Sequence, residues 1–182
     1  MQDSIRQEFP LETYLSSWKL FRYSSNENIV TAEHLLASKS WKQHSKILDV
    51  GCGDGLIVRE VAYRSSSPIQ EIHLLDADLE LLQEAYKHVS ALNIVSSVKT
   101  YHCNICEQVP TCYSEVDAIL AIHLAYLVPS SHFSVLIENL PKNIPLYLIL
   151  DEPKSVFSSI WEKTAPKYFQ RSAYAHKLIS EL

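Results

Sequence analysis

Residues 49–55 read Asp-Val-Gly-Cys-Gly-Asp-Gly, DVGCGDG, and they hold all 3 glycines of a 182-residue chain. An average chain of this length carries roughly 13. Glycine tolerates positive φ and lets another group come close to the backbone. The heptad follows the apolar run KILDV (46–50) and precedes the amphipathic GLIVREVAYR (55–64), so it marks a turn from a strand into a helix. A plain strand-to-helix turn requires one glycine. Three at alternate positions, in a chain that avoids glycine elsewhere, predict a ligand lying against the backbone of this loop.

Outward from the heptad, apolar strand-like runs alternate with helical ones. EIHLLD (71–76), SVKTYHC (97–103), VDAILAI (116–122) and PLYLIL (145–150) read as further strands. LELLQEAYKHVSAL (79–92) reads as a helix with Leu79, Leu82, Tyr86 and Val89 on one face and Asp78 as its N-cap, and 131–140 as another. Upstream, 11–41 is helical in two halves parted by SSNEN. Tyr14, Leu15, Trp18 and Phe21 form one stripe, and Val30, Ala32, Leu35 and Leu36 a second. Downstream, SVFSSIWEK (155–163) begins a helix that Pro166 interrupts, and the last dozen residues read as helix again.

Alternating strand and helix, with strands apolar on both faces, predicts an α/β, doubly wound, mainly parallel sheet. The chain divides as one domain: a helical segment 1–44, a ligand-binding core 45–151 and a helical segment 152–182. Ligands of such folds sit at the carboxyl ends of the strands where strand order reverses, and the glycine heptad follows the first strand.

Hydrophobic residues make up 47% and charged residues 20%, with net charge -5 and a pI near 5.9. That balance speaks against nucleic acid as a partner. No apolar run approaches a membrane span, and MQDSIRQEFPLE does not open like a secretory signal, so a cytoplasmic, membrane-free protein is expected. Cys52, Cys103, Cys106 and Cys112 are too few and too clustered for a disulfide scaffold. With His102, the last three offer only half of a usual zinc spacing, so reduced thiols and no metal are expected.

The pattern D-x-G-x-G-x-G departs from the dinucleotide fingerprint, since Leu56 stands where its third glycine belongs, and no Walker sequence is present. It resembles the first motif of the class I S-adenosylmethionine-dependent methyltransferases. The resemblance runs from about Lys46 to Asp151 and implies a Rossmann-like methyltransferase fold with S-adenosylmethionine as cofactor and S-adenosylhomocysteine as product. It places Gly51, Cys52, Gly53 and Gly55 against the methionine part of the cofactor, with Asp49 near its amino end. Asp76, 21 residues after Gly55, closes the second strand, where an acid can accept both ribose hydroxyls. Ala77 and Asp78 follow it as the family pattern asks. After the third strand the family often has an acid for the adenine amino group. Here Asn104 stands instead, able to accept the same bond, with Ile105 to pack on the ring. Asp117 enters the fourth strand, and Ile122 and His123 lie at its ligand end.

The resemblance implies methyl transfer to a small-molecule acceptor, an amine or a hydroxyl. The N/D-P-P-Y/F sequence of amino-directed DNA and glutamine methyltransferases is absent, and AIHLAYL stands in its place. His123 is the candidate base; a histidine merely packed beside the cofactor is its structural alternative. Asp151 and Glu152 suit either a cationic substrate or a solvated turn before Pro153. YLSSWKLFRYSSNENIVTAEHLL and LILDEPKSVFSSIWEK are similar to the histamine N-methyltransferase-like branch, which implies that Tyr14, Trp18, Phe21 and Tyr23 help close the site. The usual seven-stranded sheet ends in a hairpin, whereas this chain ends in AHKLISEL, so strand five is expected to be an edge covered by the C-terminal helix or by a second copy in a homodimer. That shortened C-terminus keeps a second reading open, a weakly active or inactive methyltransferase-like module that binds S-adenosylmethionine or a partner.

Overall fold

A computed structural model describes residues 24–105, 111–124 and 127–150, with Leu20 and Lys177 besides. Five strands, β1 (Lys46–Val50), β2 (Glu71–Asp76), β3 (Ser97–His102), β4 (Ala118–Ile122) and β5 (Leu146–Ile149), form one sheet in the order β3-β2-β1-β4-β5. Every described pairing is parallel. This is the doubly wound Rossmann-like fold, with the reversal of strand order falling between β1 and β4.

Strand periodicity sends alternate side chains to two separate cores. Ile47, Ile72, Leu74 and Leu120 face a layer of three helices, α1 (Glu27–Ala37), α2 (Leu56–Arg64) and α3 (Leu79–Ser90), through Ala32, Val58, Val61 and Ala85. Leu48, Val50, Leu75 and Ile119 face the other side, where Phe133 of α4 (Ser130–Glu138) and Tyr113 of the 3-10 turn Thr111–Glu115 cover them. Large aliphatic side chains with no exposed area fill both cores, which is why the central strands read as unbroken apolar runs.

Three expectations need correction. Leu79 and Tyr86 are 49% and 48% exposed; the buried stripe of α3 is Leu82, Ala85 and Val89. The helix is amphipathic as expected, but it is rolled so that small Ala85 meets α2. Val30 also lies outside the buried stripe of α1, which runs through Ala32 and Leu35. β3 is apolar on neither face, since as an edge strand it exposes Ser97, Lys99, Thr100 and His102. The N-cap at Asp78 is present: its Oδ1 accepts from the Glu80 and Leu81 N–H groups at 2.9 and 3.2 Å. β5 is the other edge of the described sheet. The aromatic stripe at Tyr14–Phe21, Asp151, Glu152 and the segments expected to cover β5 lie outside the described residues.

Two polar clusters tie the strands to one another, the first at the amino ends of β1 and β4. Asp117 accepts from the Ser45 and Lys46 N–H groups and the Ser45 hydroxyl, each at 3.0 Å, and so joins the start of β1 to the start of β4. Beside it, buried His44 lies 2.9 Å from the Tyr147 hydroxyl, which itself donates to the Ser40 carbonyl at 2.8 Å. The hydroxyl hydrogen is thus committed, and His44 carries its proton on Nε2. In the second cluster His73, with no exposed area, sits between Glu71 (Nε2 to Oε1, 3.0 Å) and the Tyr101 hydroxyl (Nδ1 to Oη, 3.1 Å). Both ring nitrogens are satisfied, which permits a histidine in the middle of a buried strand.

Lys99 lies 2.6 Å from Glu71, and its hydrogen bond, helped by that of His73 and opposed by desolvation, draws the Glu71 carboxyl down from 4.5 to about 2. A carboxyl whose pKa is lowered by folding contributes stability above its unfolded value and loses it as pH falls through the folded value. Glu71→Gln is therefore expected to lower the urea midpoint near neutral pH, with the gap to the parent closing as pH falls from 4.5 to about 2. A gap independent of pH in that window would show that the carboxylate's charge contributes nothing.

Candidate functional site

The carboxyl ends of β1, β2, β3 and β4 meet at the glycine loop. Asp49, buried near the end of β1, shares its sheet face with Ile47 and hence the side of the three helices. The chain then turns sharply. Gly51, Gly53 and Gly55 have φ of 70, 54 and 72°, the left-handed region that side chains oppose, which accounts for three glycines at alternate positions. The Gly51 and Cys52 N–H groups both donate to the Leu75 carbonyl, at 2.8 and 3.0 Å, tying the loop to β2. Asp54 is buried, and its Oδ1 accepts from the Leu56 N–H at 3.2 Å, starting α2 where a side-chain cap on Gly55 is impossible.

Asp76 holds the loop from the other side. Its Oδ2 accepts from the Gly53 N–H and its Oδ1 from the Asp78 N–H, both at 2.8 Å. A carboxylate offers about four lone-pair positions, and backbone N–H groups of Asp78, Gly53 and Ala77 act on this one. Burial raises the Asp76 pKa, with these backbone donors opposing that rise. The Cys103 N–H donates to the Asp76 carbonyl at 3.0 Å, which carries half-buried Asn104 and Ile105 to the same edge. Ala77 is exposed, and its carbonyl accepts from His102 Nε2 at 3.1 Å. Cys52 is buried, and burial, followed by the charges of Asp49 and Asp76, pushes its thiol well above the ordinary value, so it remains a neutral thiol.

On the far side of β1, buried Ile122 ends β4 and His123 follows with φ 56°. A non-glycine residue in that region marks strain held by its surroundings. The His123 N–H donates to the Ile149 carbonyl at 3.0 Å. Its Nε2 lies 3.2 Å from Glu27 Oε1, an ion-pair distance that brings the first turn of α1 to the end of β4. Reasoning from the sequence missed Glu27, because a pairing across 96 positions leaves no local pattern. It also missed Leu124, whose Cδ1 lies only 2.6 Å from where a Gly51 Cβ would stand. Asp54 was passed over as well, although an aspartate two residues ahead of a helical run is a turn-and-cap signal. A shallow groove of about 420 Å³ lined by Glu33, Leu36, Trp41 and Arg64 lies at the opposite end of α2.

Among the described residues no three His, Cys, Asp or Glu side chains gather as metal ligands, and no helix is long and apolar enough to cross a membrane. Cys106 lies outside the described residues.

Residues 47–142 match the methyltransferase domain family. The chain belongs to this family. Among solved structures, the mitomycin 7-O-methyltransferase MmcR superposes with a TM-score of 0.59 at 14% identity, over 76% of this chain and 41% of its own. The plantazolicin methyltransferase BpumL, solved with a triazolic desmethylPZN analogue and S-adenosylhomocysteine, gives 0.59 at 18%, over 91% and 62%. The methyltransferase domain of bacterial CtHen1-C gives 0.56 at 15%, over 79% and 85%. The chain thus spans less than two thirds of the first two. At these identities the likeness is one of fold. No curated protein matches this methyltransferase-domain chain in sequence.

The glycine contacts rank two substitutions. A Cβ on Gly55 would stand 2.9 Å from the Ala85 Cα, a backbone atom, whereas one on Gly51 meets the movable end of Leu124. Gly51→Ala is expected to cost about 1–2 kcal/mol from the left-handed φ alone, and Gly55→Ala about 2–4 kcal/mol, the clash being added. Urea unfolding of both variants measures this; equal costs, or the reverse order, would contradict the packing described.

Proposed function

We propose that this chain is an S-adenosylmethionine-dependent methyltransferase acting on a small-molecule acceptor, an amine or a hydroxyl, through a cofactor site carried by residues 45–151. The observation that carries the reading is the Asp76 carboxylate at the end of β2, which braces the glycine loop through Gly53 and has more lone-pair positions than one donor fills. Two carboxylate oxygens as acceptors fit a ribose with two adjacent hydroxyl donors. Membership in the methyltransferase domain family supports the same conclusion.

In this reading Gly51, Cys52, Gly53 and Gly55 offer backbone to the methionine part, and Asp49 faces its amino group. Asp76 and Ala77 take the ribose, Asn104 accepts from the adenine amino group, and Ile105 and Ile122 supply apolar contact. S-adenosylmethionine, when bound, supplies a methyl group already activated on a sulfonium. The protein's share is then alignment and exclusion of water, with one proton to remove from the acceptor. His123, at the carboxyl end of β4, is the group to take that proton, and the Glu27 carboxylate lies 3.2 Å from its Nε2. The 7-O-methylation named for MmcR supports a hydroxyl acceptor only at the level of fold. The histamine-like reading rests on segments mostly outside the described residues.

Isothermal titration with S-adenosylmethionine and S-adenosylhomocysteine tests the proposal. Asp76→Asn keeps the shape of the side chain and removes its charge, and is expected to weaken both ligands by about tenfold or more, as loss of hydrogen bonds to a charged group does. A folded parent protein that binds neither ligand, or an Asn variant that binds both as tightly as the parent, would overturn the assignment.

A further inference from the structure

The glycine loop is braced not only by β2 but also by α3, through a residue that the cofactor arrangement does not employ. His88 Nδ1 lies 2.8 Å from the Asp54 carbonyl oxygen. A carbonyl only accepts, so Nδ1 carries a proton and donates. One turn earlier on the same face of α3, Ala85 has no exposed area and presses against Gly55, leaving no room there for a Cβ. The peptide unit between Asp54 and Gly55 is therefore gripped twice, by a hydrogen bond on its oxygen and by van der Waals contact at its following Cα.

That peptide unit can rotate as a plane by changing ψ at Asp54 and φ at Gly55, where glycine opposes the change least. Rotation would withdraw the Gly55 N–H from the Cys52 carbonyl, 2.9 Å away. It would also disturb Gly53, whose N–H meets Asp76. We propose that His88 is a positioning residue for the cofactor loop: it locks the 54–55 peptide plane and so holds the loop ready for its ligand before binding. The inference rests on the cofactor reading above. Its physical basis is preorganisation, in which ordering accomplished during folding is not charged against affinity.

His88→Leu removes the donor, and His88→Asn restores one, since the asparagine Nδ2 stands where the histidine Nδ1 does. Two readouts on the full chain decide the matter. By isothermal titration, Leu is expected to weaken S-adenosylhomocysteine binding about three- to tenfold at similar thermal stability, and Asn to recover most of it. By amide hydrogen exchange, the Gly53 and Gly55 N–H groups are expected to exchange about three- to tenfold faster in Leu than in the parent or Asn. Unchanged exchange in Leu, or equal acceleration in Leu and Asn, overturns the positioning role. A parent that binds no ligand while exchange behaves as described overturns the cofactor reading alone and leaves the peptide lock supported.

Discussion

The carboxylate of Asp76 is the constraint on which the site depends. It is largely withdrawn from water, a position that raises its pKa, and it is kept there by backbone N–H donors from Gly53 and Asp78. One donor belongs to the loop after β1 and the other to the turn that starts α3. A desolvated carboxylate is costly unless its lone pairs are met, so the pressure to satisfy it draws the two loops together. The turn of the glycine heptad, the start of α3 and the edge that carries Asn104 are all referred to this one side chain.

The rest of the fold supplies a rigid floor under that point. Parallel strands with apolar residues on both faces are packed by three helices on one side and by α4 and the 3-10 turn on the other. At the amino ends Asp117 fastens β1 to β4, and the Glu71–His73–Tyr101 cluster fastens β2 to β3 along their length.

Much of this was legible in the chain itself. Four of the five strands and the Asp78 cap follow from apolar period and residue type, and the glycine heptad with Asp76 marks the candidate site because backbone strain and a strand-end acid leave direct traces. What was not legible depends on how elements are rolled and placed. The exposure of Leu79 and Tyr86 follows from Ala85 facing Gly55, a choice of helix rotation that an apolar stripe alone leaves open. His73 reads as an interruption of a buried strand until Tyr101 is set beside it by strand pairing. Glu27 and His88 bear no local sign of their roles, since their partners His123 and Asp54 come from distant stretches of chain.

The most direct test of the account is a map of backbone amide shifts as S-adenosylhomocysteine is added to the full chain. The account predicts that the changes concentrate at Gly51, Gly53, Gly55, Asp76, Ala77, Asn104 and Ile105, and reach His123 at the end of β4. Changes confined to the groove of Glu33, Trp41 and Arg64, or none at the glycine loop, would contradict it.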